Sequence, residues 1–90
     1  MNDNINQSLL TFPCDFTIKV FGLASDEFES AVYGIIHKHV VNVSDRVMQS
    51  RLSENGKYQS LSIQIHVESK EQLDQIYREL SASPQVLMAI

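Results

Sequence analysis

Tryptophan is absent from this 90-residue chain, cysteine occurs once, and proline only twice. The single Cys14 cannot close an internal disulfide, which fits a reducing compartment rather than a stapled secreted scaffold. Basic residues are also scarce: seven Lys and Arg against eleven Asp and Glu leave a formal charge of -4. A phosphate backbone is repelled by that mean charge, and no Lys/Arg cluster overrides it, so no nucleic-acid partner is expected. No apolar run approaches the roughly 20 residues of a membrane span, so no membrane partner is expected either. The opening Met1-Asn2-Asp3-Asn4-Ile5-Asn6-Gln7 lacks the basic region and apolar stretch of a signal peptide, which predicts a cytoplasmic protein.

What is present is enough for one core. Hydrophobic residues make up 43% of the chain and charged residues 20%, a globular balance. Residues 1–11 are polar and read as a flexible segment, and 12–90 as a single domain. The clearest stretch is Tyr58 to Val67. Leu61, Ile63, Ile65 and Val67 alternate with Ser60, Ser62, Gln64 and His66, so a strand here has one apolar and one polar face.

Pro13 cannot donate to a sheet ladder, so the first strand should begin after it. Phe16, Ile18 and Val20 share one face of that strand; Thr17, Lys19 and Phe21 take the other. Gly22 is expected to end it, at a turn needing unusual backbone angles. Ser25 then caps a helix whose stripe is Phe28, Ala31, Val32, Ile35, Ile36 and His39, with Asp26, Glu27 and Glu29 at its positive end. Gly34 inside that helix suggests a closely packed neighbour. The stretch Val40 to Asp45 fits neither period.

Arg46 to Leu52 reads as a second strand. An Asn55-Gly56 two-residue turn would pair it with Tyr58–Val67, setting Leu52 against Gln59, Ser50 against Leu61 and Met48 against Ile63. Met48, Ser50 and Leu52 would then face the core, and Val47, Gln49 and Arg51 the open side. Ser69 and Gln72 have capping-box spacing, and Leu73, Ile76, Tyr77 and Leu80 form the stripe of a second helix. Val86 to Ile90 reads as the last strand, with Val86, Met88 and Ile90 inward.

The order β-α-β-β-α-β, with right-handed crossovers, predicts an α+β ferredoxin-like plait. It has a four-stranded antiparallel sheet of order 4-1-3-2 and two helices on one face. In this setting Phe12-Pro13, Phe16, Lys19-Val20 and Gly22 resemble the opening of the YbeD-like bacterial proteins. Gly56, Tyr58, Ser60 and Ser62 are similar to their third strand, and Gln72-Leu73, Ile76-Tyr77, Leu80, Val86 and Met88 to their ending. The resemblance covers nearly all of the chain beyond the first eight residues. It implies a functionally uncharacterised family with a plait like that of the amino-acid-sensing ACT domains. Some members are encoded near lipoate-transfer genes, which implies a faint link to lipoate metabolism. ACT domains usually carry an Asp-x-Pro-Gly-like turn after the first strand. Here Phe21-Gly22-Leu23-Ala24-Ser25 has a glycine without the proline or the acid, a departure that weighs against amino-acid binding.

Lys19, Phe21, Arg51, Tyr58, Ser60, Ser62 and His66 should share the open sheet face. Two cations, hydroxyls and an aromatic suit an anionic small molecule or a partner's surface. A merely solvated sheet face is the plain alternative. Gly22 is a further candidate, where a ligand could approach the backbone. Base stacking on the third strand would need aromatics at Ser60, Ser62 and Gln64. His37 and His39, two apart on a helix, do not share a face as a zinc pair would. Cys14 beside Asp15 lacks a base and reads as an ordinary thiol. No cofactor or catalytic residue is expected. The chain reads as a non-catalytic regulatory or ligand-sensing module, acting through a partner enzyme or as a homodimer with Phe21, Leu87 and Tyr58 as apolar anchors. A protein-interaction adaptor without a small-molecule ligand is the alternative.

Overall fold

A computed structural model of the chain describes residues 11–40 and 48–90. The expected strand around residues 46–47, the pinning role of Leu9 and Leu10, and the stretch from Val41 to Asp45 lie outside the described residues. The elements are β1 (Cys14–Leu23), α1 (Asp26–His39), β2 (Met48–Leu52), β3 (Tyr58–Val67), α2 (Lys70–Ala82) and β4 (Met88–Ala89). The sheet order is β2-β3-β1-β4, all antiparallel, which is the plait the element order predicts.

The centre of the sheet is β1 against β3, paired from Cys14↔Val67 to Leu23↔Tyr58. Alternation does the sorting. Ile18 and Val20 of β1 and Leu61, Ile63, Ile65 and Val67 of β3 are buried. They meet Phe28, Val32 and Ile36 of α1 and Leu73, Ile76 and Leu80 of α2 in one cluster. Each such side chain contributes roughly 1.5–3 kcal/mol on burial. Phe16 packs edge-to-face on Tyr77, centroids 6.4 Å apart, at the border of that cluster.

Capping fixes where the helices begin. The Phe28 amide donates to Ser25 Oγ at 3.0 Å, and the Gln72 amide to Ser69 Oγ at 3.2 Å. The expected return half of the Ser69–Gln72 box is altered. Gln72 Oε1 accepts from the Glu68 amide at 2.7 Å, and its Nε2 donates to the His39 carbonyl at 2.7 Å. One side chain thus satisfies an orphan donor before α2 and an orphan acceptor at the end of α1. Beside it, His39 Nε2 lies 2.5 Å and Lys38 Nζ 3.1 Å from the Glu79 carboxylate, tying the two helices together.

Several expectations are corrected. Gly22 does not end the first strand: it sits inside β1 with no positive φ. Its reason is space, since a Cβ would lie 2.5 Å from the Phe28 ring and 2.6 Å from the Gln85 carbonyl. Gly34 is the reverse, with no described atom within 4 Å of an added Cβ. The expected β2–β3 register holds, but the turn is different. The Gly56 amide donates to the Ser53 carbonyl at 2.9 Å and, of the pair, Gly56 has positive φ while Asn55 does not, so Asn55-Gly56 is not a primed two-residue turn. Asn55 Oδ1 instead accepts from Ser53 Oγ and from the Lys57 amide, which closes a wider loop.

The last strand is shorter than expected and its facing is shifted. Val86 does pack on the core, but Ala89 is the next inward residue. Met88 and Ile90 are 52% and 58% exposed. The cause is a bulge. Met88 stands opposite Phe21, yet the Leu87 amide donates to the Phe21 carbonyl, at 2.8 Å. Two residues facing one shift the parity of everything after them. Leu52, expected in the core, is 58% exposed because it is at the end of an edge strand.

The two glycines should respond in opposite directions. Gly34→Ala should stabilise by up to about 1 kcal/mol in urea unfolding, whereas Gly22→Ala should destabilise by at least as much. Equal effects would contradict the packing described. Hydrogen bonds from His39 and then Lys38 hold the Glu79 carboxyl below its usual range. A lowered carboxylate contributes stability that is full above the unfolded value of about 4.3 and is lost as pH falls through the folded value. Urea midpoints should therefore fall more steeply in wild type than in Glu79→Gln below about pH 4.5, and parallel curves would contradict this role.

Candidate functional site on the open sheet face

The helices cover one side of the sheet; the other carries the residues that alternation turns away from the core. Across the strands Lys19 stands by Ser62 and Gln49, Phe21 by Ser60 and Arg51, and Leu23 by Tyr58. Lys19, Phe21, Gln49, Ser50, Arg51, Ser60 and Ser62 line an open concavity of about 450 Å3. A smaller hollow of about 180 Å3 adjoins it, shares Phe21, Arg51 and Ser60, and extends to Tyr58.

Electrostatics single out this end of the face. Ion pairs among the described residues occupy Lys38, His39, His66 and Lys70, and the side chains of Lys19 and Arg51 have no carboxylate partner among those residues. Lys57 Nζ lies 5.4 Å from the centroid of the Tyr58 ring, adding a third cation nearby. Acid gathers at the other end, where His66 bridges Asp15 at 3.0 Å and Glu68 at 3.3 Å. Four residues of strand separate Lys19 from Asp15, roughly 13 Å. That exceeds the Debye length of about 8 Å at physiological salt. The two cations therefore act on their surroundings largely without cancellation from the acidic end.

Six of the eight residues singled out from the sequence come together here: Lys19, Phe21, Arg51, Ser60 and Ser62 around the larger concavity, and Tyr58 at the smaller, while His66 stands at the acidic end of the same face. Gly22 does not join them. It is buried on the helix side of β1, where the Phe28 ring and the Gln85 carbonyl occupy the approach to its backbone. Sequence reasoning left Gln49 out of the site although its place on the open face followed from the alternation. It also missed the buried Gln59, whose Nε2 donates to Glu29 Oε2 at 2.6 Å and Ser50 Oγ at 2.8 Å. That amide explains why an inward position of β2 holds a serine: it accepts one of the two amide protons.

Among the described residues no cluster of three or more His, Cys, Asp or Glu could hold a metal ion. No described helix is long and apolar enough to cross a membrane. Cys14 is half-buried at the start of β1, five residues from Lys19.

A four-stranded antiparallel sheet of order β2-β3-β1-β4 with two helices on one face defines an ACT-like ferredoxin-like fold. Solved structures with this architecture bear that out. The solution structure of protein HP0495 from H. pylori matches with a TM-score of 0.71 at 15% identity, over 90% of this chain and 85% of that one. The ACT domain of GTP pyrophosphokinase from Chlorobium tepidum matches with a TM-score of 0.64 at 18% identity, over 86% of this chain and 97% of that one. These likenesses show the fold. The chain itself belongs to the DUF493 family, described as a protein of unknown function, over residues 7–90. Among its relatives, a UPF0250 protein of Paraburkholderia phytofirmans is 34% identical over 87 residues, 97% of this chain and 98% of its own length. UPF0250 protein NE1487 of Nitrosomonas europaea is 36% identical over 84 residues, 93% of this chain and 97% of its own. The family resemblance read from the residues thus holds for nearly the whole chain.

Because the Lys19 and Arg51 side chains have no carboxylate partner among the described residues, they should contribute little to the stability of the fold. The double substitution Lys19→Ala with Arg51→Ala should change unfolding stability by no more than about 0.5 kcal/mol. A loss above about 1 kcal/mol in urea titration would assign them to structure instead.

Proposed function

We propose that this chain is a non-catalytic cytoplasmic regulatory module that senses a small molecule on its open sheet face. It would pass that state to a partner enzyme or a second copy. The observation that carries the reading is the pair Lys19 and Arg51. Both lack an acidic partner among the described residues, and both line one concavity with the hydroxyls of Ser60 and Ser62. In a chain of formal charge -4, unneutralised cations on one surface are a selective feature for an anion. These groups hold a ligand rather than transform it. The described residues lining the concavity include no His, Asp or Glu that could activate a serine.

A second reading is supported by the rim. Leu23, Tyr58, Leu87, Met88 and Ile90 are large and exposed toward the same end of the sheet. Such a rim suits an adaptor docking on a protein without a metabolite.

Amide NMR titration separates the two. Pools of amino acids, lipoate-type acids and nucleotides should give saturable shifts at Lys19, Arg51, Ser60 and Ser62 with one ligand class. That ligand should also raise the melting temperature by mass action. A folded sample that ignores every pool, yet binds a specific protein in a manner lost in Arg51→Ala with Tyr58→Ala, would replace sensing by the adaptor reading.

A further inference from the structure

The open-face site is two adjoining hollows of different chemistry, and this points to the class of its ligand. The larger holds Lys19, Arg51, Ser60 and Ser62. The smaller is lined by Phe21, Leu52 and Tyr58 together with Arg51, Ser53, Gln59 and Ser60. They share Ser60, which stands opposite Phe21 on one side and Arg51 on the other. A ligand filling both must carry its charge at one end and an apolar group at the other.

We infer that this face binds an organic phosphate monoester bearing a ring-sized or short apolar substituent. The inference rests on the reading of the face as a small-molecule site and specifies its ligand. The head group follows from charge and donor count. Lys19 and Arg51 supply two positive charges with no carboxylate partner among the described residues. A phosphate monoester carries about -1.5 to -2 at neutral pH and three acceptor oxygens. The Arg51 fork can take two oxygens, Lys19 contributes a point charge, and the two hydroxyls donate to the rest. A monocarboxylate would leave one cation uncompensated. The substituent follows from the second hollow, a space of about 180 Å3 whose lining includes the apolar side chains of Phe21, Leu52 and Tyr58. Lys57 beside Tyr58 adds positive potential on the same side. The described side-chain acids nearest on the face, Asp15 and Glu68, stand with His66 at the far end of the strands.

Four probes test this with the full chain by amide NMR: phenyl phosphate, inorganic phosphate, phenylacetate and phenol. Phenyl phosphate should bind about tenfold more tightly than inorganic phosphate, the factor expected from burying roughly 55 Å2 of apolar surface. It should also exceed phenylacetate and phenol several-fold, and weaken as salt rises. Tyr58→Ala should reduce the preference over inorganic phosphate toward unity while leaving phosphate binding intact. Arg51→Gln should remove binding of both phosphates in a chain whose spectrum remains folded. Equal affinity for the two phosphates would overturn the apolar subsite and leave an anion-sensing face standing. Phenylacetate or phenol matching phenyl phosphate would overturn the dianionic head group. Silence of all four probes would overturn the ligand class, and the sensing reading would then stand or fall separately on the pooled titration.

Discussion

Antiparallel pairing of Cys14–Leu23 with Tyr58–Val67 runs ten residues in unbroken register through the middle of the sheet. Both helices take their place from it. Its inward side chains, Ile18, Val20, Leu61, Ile63, Ile65 and Val67, provide the apolar surface against which Phe28, Val32, Ile36, Leu73, Ile76 and Leu80 are buried. Because side chains alternate strictly along a strand, a one-residue slip would move that whole set into water. The same constraint therefore decides what faces outward. Lys19, Phe21, Ser60 and Ser62 are on the open face because their neighbours in sequence are in the core.

The open face gains its character at its edges. Leu52 ends the edge strand β2 and remains exposed despite its inward parity, whereas Met48 at the other end of β2 packs on the core. At the opposite edge, the bulge at Leu87–Met88 turns Met88 and Ile90 outward beside Phe21 and Lys19. The result is a cationic and hydroxylated centre with an apolar rim at one end of the strands, and an Asp15–His66–Glu68 cluster at the other. A face with such polarity can orient whatever binds it. A uniformly wet sheet face could not.

Much of this was legible in the sequence because the informative signals are local and periodic. The alternation from Tyr58 to Val67 and the helical stripes from Phe28 to Ile36 and Leu73 to Leu80 each report burial directly, and together they dictated the plait. Ser25 and Ser69 were readable as caps because capping is a three-residue interaction. What escaped depends on atoms distant in sequence. Gly22 reads as a turn residue until Phe28 and Gln85 are placed beside it. A bulge inserts one residue that no composition marks, so the facing of Met88 and Ile90 was inverted. Asn55-Gly56 carries a strong hairpin signal, yet Ser53 and Asn55 side chains select another turn with the same register. The candidate site was legible as a set of outward positions. That the Lys19 and Arg51 side chains lack carboxylate partners among the described residues is a three-dimensional fact.

The measurement that bears most directly on the account is thiol accessibility at adjacent positions of the central strand. In a Cys14→Ser background, Ser62→Cys should react with a thiol reagent at close to the rate of a free peptide. Ile63→Cys should react only through unfolding. That contrast would establish that one face of β3 is dry and the other open to a ligand. Protection of both thiols in the folded protein would mean that the face assigned to binding is already covered, and would contradict the account.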